Sequence, residues 1–180
     1  VARNVSNLEL LSQLLSQARE HRAAIPVLQE AAALSDTGVL AYRLGQVLLA
    51  DEQNEAAEKA LTNALQKGGL DEKQRANAWM LLGTARFNEA GPGEREQRAL
   101  ADKAFASAAE FAATRKQANG WRDYIKAIND TEDRQARLER EQAAMLAEAA
   151  RERELSACRS LQIAGRTLSE ECRARLGDEG

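Results

Sequence analysis

Apolar residues recur at intervals of three and four along most of this chain, the spacing of one face of a helix. Two such runs, VLAYRLGQVLLA (39–50) and ANAWMLLGTARF (76–87), carry Leu-Gly at the same point. Each is followed by a second run, AAEKALTNAL after the first and ALADKAFASAA after the second. The first helix of each unit alternates large and small positions, through Leu44, Gly45 and Leu48, then through Trp79, Leu82 and Gly83. The second helix carries Ala57, Leu61 and Ala64, then Ala101, Phe105 and Ala108. An earlier stretch fits the same register with Leu8, Leu11, Ser12 and Leu15, followed by Ala24, Leu28 and Ala31. Small residues in this pattern mark close helix crossings, and large ones fill the space beside them. Three such units are about the minimum that buries a continuous core.

Local punctuation agrees with the hairpins. Ser6-Asn7-Leu8-Glu9 reads as a capping box for the first helix, and Asp71 with Gln74 as one for the helix carrying Trp79. Asp36-Thr37-Gly38 separates the first two units, and Gly68-Gly69 ends the second. Pro26 falls early in a helix, where its missing N–H predicts a slight bend rather than a break. The stretch from Asn88 to Arg98 contains GPGERE and predicts a turn about six residues longer than the pattern, either a tolerated insertion or a contact loop. In TRKQANGWRDYIKAIND, Trp121, Tyr124, Ile125 and Ile128 share a helical face. That face suits a cap over the last open unit, with Trp121 as an exposed partner anchor the alternative.

From Thr131 the chain becomes charged and Ala-rich, with Asp130–Arg134 and Asp133–Arg137 at i,i+4 spacing. Leu138, Met145 or Leu146, Ala149, Cys158 and Leu161 form a seam too thin to specify a coiled coil by itself. The Asn129-Asp130-Thr131 cluster either breaks this helix from the Trp121 helix or lies inside one continuous rod. Gly165 predicts a turn, and Thr167 with Glu170 a cap for a short antiparallel helix. The charged segment is a solvated face, or else a dimerisation arm or strut.

The repeated alternation resembles the tetratricopeptide repeat. That resemblance implies an all-α solenoid of about three helical hairpins and a capping helix (1–128), then a long charged helix and a short C-terminal helical hairpin (129–180). More narrowly, the runs NLELLSQLL, AAIPVLQEAAALSD, the KGGL turn, WMLLGTARF and AAEFAATRKQANGWRDYI are similar to tetratricopeptide proteins encoded with TonB–ExbB–ExbD systems of Gram-negative bacteria. The likeness spans about residues 5–128 and implies a periplasmic, non-enzymatic partner of such a complex. The turn at 88–98 and the tail after 129 depart from it. Proteins of that kind are exported and longer at the N-terminus, so a chain opening at Val1 without Met or a signal-like segment reads as cut from something longer, with a processed native start the alternative. The implied compartment also bears on Cys158 and Cys172, which flank the Gly165 turn: oxidising conditions would join them, and otherwise they are separate thiols.

Composition narrows the function. Ala, Leu, Glu, Arg and Gln abound and β-branched residues are few, which favours helix throughout. A net charge of −3 with both signs mixed provides no basic stripe, so nucleic acid is not an expected partner. No apolar run is long enough for a membrane span. His21 reads as a packing or surface residue, and Ser12, Ser16 and Ser35 occupy helix and cap positions rather than a nucleophile turn. There is no phosphate loop after a strand, no CxxC pair, and a single His, so neither an enzyme, a cofactor nor a metal is expected.

The expected function is binding. First helices of stacked hairpins line the concave side, which nominates Glu9 and Gln13, then Tyr42, Gln46 and Leu49, then Asn77, Met80, Thr84, Phe87 and Asn88. Neutral amides with a few large apolar groups suit an extended or helical peptide, with Tyr42, Met80 and Phe87 as the leading anchors. The set lacks the cations with which chaperone-binding tetratricopeptide domains clamp a carboxylate, and Glu9 would repel one. The alternative function is self-assembly, a homodimer built through the charged helix.

Overall fold

The computed structural model describes residues 4–18 and 20–177; Val1, and the side chain of Ser16, lie outside what it describes. Among the described residues there are eight α-helices and no strand: α1 (Val5–Gln17), α2 (His21–Leu34), α3 (Val39–Ala50), α4 (Asn54–Lys67), α5 (Glu72–Glu89), α6 (Arg95–Ala109), α7 (Arg115–Ile163) and α8 (Glu170–Gly177). They form two compact units, the first ending at Asn129 and the second beginning at Asp130.

In the first unit the helices pack as successive hairpins, α1 on α2, α3 on α4 and α5 on α6, each pair stacking on the next. The Leu-Gly positions explain how closely they pack. A Cβ on Gly45 would lie 2.5 Å from Leu61, and one on Gly83 would lie 2.6 Å from the Phe105 ring. Each large second-helix residue therefore fills the space that its glycine leaves. Ser12 occupies the equivalent place in α1, buried, with its hydroxyl donating to the Glu9 carbonyl at 2.7 Å. The alanines at 24, 31, 57, 64, 101 and 108 are all fully buried. Leu11 departs from the pattern at 44% exposed, because no hairpin among the described residues covers the outer side of α1 as α2 covers α3.

Side chains also satisfy helix ends. The Lys67 ammonium donates to the carbonyls of Ala32 and Ser35, both at 2.8 Å, which closes the C-terminus of α2 from the following hairpin. Asp71 and Gln74 form the expected reciprocal capping box. The other two expected boxes shift. Helix α1 begins at Val5, one residue before Ser6, and Asn4 Oδ1 accepts from the Asn7 N–H at 2.9 Å. Ser169 Oγ, not Thr167, accepts from the Cys172 N–H at 3.2 Å and opens α8. In each case the capping residue lies three before the N–H that it satisfies. Pro26 sits inside α2, which continues through it.

The turn expected at 88–98 is shorter than its sequence suggests. Asn88 and Glu89 complete α5, and α6 begins at Arg95, so only residues 90–94 leave the helices. Good helix formers on either side of Gly91-Pro92-Gly93 absorb the extra length. Arg98, 3% exposed, donates to the Gly91 carbonyl and to Asn129 Oδ1, and Arg95 donates to the Asn129 carbonyl. The turn is thereby tied down on α7.

Helix α7 is continuous through Asn129-Asp130-Thr131. Asn129 spends its side-chain oxygen on Arg98 rather than on its own backbone, so it does not interrupt the helix. In the first unit α7 caps α5 and α6: Ile125 and Ala118 are buried with Met80 and Phe105. Trp121 stacks on Phe105 with centroids 5.5 Å apart and planes 3° apart. In the second unit Leu138, Met145 and Leu146 are exposed. Helix α8 returns antiparallel to the end of α7, since Glu154 pairs with Arg175 and Cys158 is joined to Cys172 in a disulfide with Cα atoms 5.4 Å apart.

Candidate functional site

Helices α1, α3 and α5 form one face of the stack, with α3 and α5 in direct contact. Polar groups link successive first helices there. Arg43 on α3 reaches Glu9 on α1 at 2.7 Å. On the other side of α3, the Tyr42 hydroxyl accepts from Gln46 Nε2 at 3.0 Å and also hydrogen-bonds the Asn77 side chain of α5. Burial pushes the Tyr42 phenol above its usual range, and the Asp71 charge adds to this, while the hydrogen bonds from Asn77 and Gln46 oppose it. The phenol is a hydrogen-bonding junction between α3 and α5.

The nominated residues separate into four groups. Tyr42, Gln46 and Asn77 come together in this junction, with Gln46 exposed, Asn77 half-buried and Tyr42 only 6% exposed. Gln13 is exposed, and Glu9 and Leu49 are half-buried. Met80 is 7% exposed and packs with Phe105, Ala108 and Ile125, inside the contact between the third hairpin and α7. Phe87 is half-buried against Trp121 at 5.1 Å and Tyr124 at 5.8 Å. Thr84 is half-buried and donates to the Met80 carbonyl in its own helix, and exposed Asn88 donates to Asn54 at the start of α4. The large apolar anchors are therefore held in packing, and the groups presented to a ligand are amides and Leu49.

Two features are absent from that set. Arg43 lies three residues from Gln46, and that helical spacing could have placed it on the same face. The second feature is a cleft of about 450 Å³ between α4 and α6, with α5 beneath it. Trp79, Leu65 and Leu82 supply its apolar surface, and Arg86, Lys103 and Gln66 are among its polar groups. Arg86 is partly committed, donating to Glu58 at 2.8 Å. A second hollow of about 460 Å³ lies beside Trp121, Tyr124, Gln117 and Gly120.

His21 Nδ1 is buried without a hydrogen-bond partner. Among the described residues no three His, Cys, Asp or Glu side chains cluster as metal ligands. No helix of the described residues is long and apolar enough to cross a membrane.

No protein-family model matches the chain, and no curated protein matches its sequence. Among solved structures it is similar to MamA, a TPR-like helical protein, as seen in the crystal structure of MamA. The TM-score is 0.52 at 20% identity, over 74% of this chain and 81% of the MamA chain. Identity that low carries the fold alone. Among the described residues the fold is all-α, and the first unit is a solenoid of helical hairpins of tetratricopeptide type.

Proposed function

We propose that this chain is a non-enzymatic interaction scaffold that holds a protein or peptide partner along the face formed by α1, α3 and α5. The observation that carries this reading is the Tyr42–Gln46–Asn77 junction, a neutral amide cluster bridging two first helices beside half-buried Leu49. Amide donors and acceptors at fixed spacing match the backbone of a bound segment, and a flanking apolar side chain adds area to bury. A periplasmic setting, in a TonB-type envelope complex, is the companion proposal. It is supported by the sequence resemblance and by the Cys158–Cys172 disulfide, a bond that persists in oxidising compartments.

Substituting Gln13, Gln46 and Leu49 together by Ala tests the binding face, since none of the three is buried. Capture of the partner from the native envelope after crosslinking is expected to fall at least about tenfold, the loss of roughly 1.4 kcal/mol, with helix content unchanged. Undiminished capture would exclude this face. A second reading, self-assembly through the charged helix, is favoured by exposed Leu138, Met145 and Leu146 in the second unit. Sedimentation of the chain with and without residues 131–180 separates the two, because only self-assembly makes the mass depend on that segment.

A further inference from the structure

The α4–α6 cleft and the exposed apolar residues of α7 have matching chemistry. The cleft brings the Trp79 ring, Leu65 and Leu82 together with two cations, Arg86 and Lys103, and no carboxylate is among its lining residues, although the chain as a whole has a net charge of −3. On α7, Met145 is 70% exposed and Leu146 is 73% exposed. Glu141 lies four residues before Met145 and Glu148 three after it, so both carboxylates share the Met145 face. An unbranched thioether adapts to an irregular apolar floor and is attracted to an aromatic ring.

We propose that the cleft between α4 and α6 receives the Met145 face of α7 from a second copy of the chain. The mode is a helix laid into a groove: Met145 seats against Trp79, and Glu141 and Glu148 approach the cationic rim. Arg86 already donates to Glu58, and Glu141 lies 4.0 Å from Arg137 of its own helix, so Lys103 with Glu148 is the principal pair. Knob and socket occupy different places on the chain, so copies either associate head to tail through heterologous contacts or close as a reciprocal two-fold pair. This gives the self-assembly reading a specific socket and is independent of the α1–α3–α5 face, which shares none of these residues.

The test is sedimentation equilibrium of the full chain over a wide concentration range. The wild type is expected to gain mass with concentration. Lys103→Glu and the double variant Glu141→Lys/Glu148→Lys each weaken association by about tenfold or more, as like charges meet at the contact. Combining all three substitutions restores it. Met145→Ala weakens it without the charge effect. All of these positions are exposed, so helix content is expected to stay constant across the set. A chain that remains monomeric throughout overturns the proposal. So does association that ignores Lys103→Glu, which would mean that the charged helices pair with each other.

Discussion

Gly45 and Gly83 are in ordinary helical backbone, and their necessity is purely spatial. Adding a methyl at Gly83 pushes into a fully buried Phe105 ring, so Gly83→Ala is expected to lower stability by about 1–3 kcal/mol. Gly38→Ala is expected to be worse, because its Cβ would fall 2.0 Å from the Ala64 carbonyl oxygen, and backbone yields less readily than a ring. Thermal melting of the two variants checks the order; equal stability with wild type would remove the close-crossing account. Tyr42 allows a test by pH. Its phenol is pushed above its usual value of about 10, so its contribution to stability is complete below that pH and is lost as the pH rises through the folded-state value. Tyr42→Phe is expected to cost about 1 kcal/mol at neutral pH, the worth of an ordinary hydrogen bond, and to flatten the alkaline limb of the stability curve. At this scale the sequence was most readable where small residues repeat, as at Gly45, Gly83 and the buried alanines. Caps were less readable, because Asn4 and Ser6, or Thr167 and Ser169, are all competent and packing decides where a helix starts.

Among the elements, the hairpins follow from the period, whereas the connections depend on contacts distant in sequence. The 88–98 stretch reads as a long turn because Gly-Pro-Gly dominates it. Its helical flanks become clear only when Arg98 is seen bonded to Asn129, thirty-one residues on. The α7–α8 hairpin has a thin interior and relies on its covalent link. Closing a loop of about fifteen residues is worth roughly 3 kcal/mol in the chain-entropy account. Reduction, or Cys158→Ser with Cys172→Ser, is therefore expected to release α8. Hydrogen exchange should show protection lost over 170–177 and retained in α3 to α6. Unchanged protection of α8 after reduction would show that the ion pair of Glu154 with Arg175 and local packing suffice.

For the whole molecule, the stacking of repeats was legible but the use of their surfaces was not. Phe87 and Met80 belong by register to first helices, yet α7 covers that end of the stack and takes them into an aromatic and aliphatic cluster with Phe105 and Trp121. A helix-by-helix register does not see a cap arriving from elsewhere in the sequence. The same limit hid the α4–α6 cleft, which exists only because three helices from two hairpins meet around Trp79. The most direct measurement of the proposed scaffold function is site-specific photo-crosslinking in the producing cell, with the reactive group at Gln13, at Gln46 or, on a second helix, at Gln29. All three sites are exposed. The scaffold account predicts one common protein adduct from Gln13 and Gln46 that is absent from Gln29. An adduct formed only from Gln29, or no adduct from either first-helix site, would contradict it.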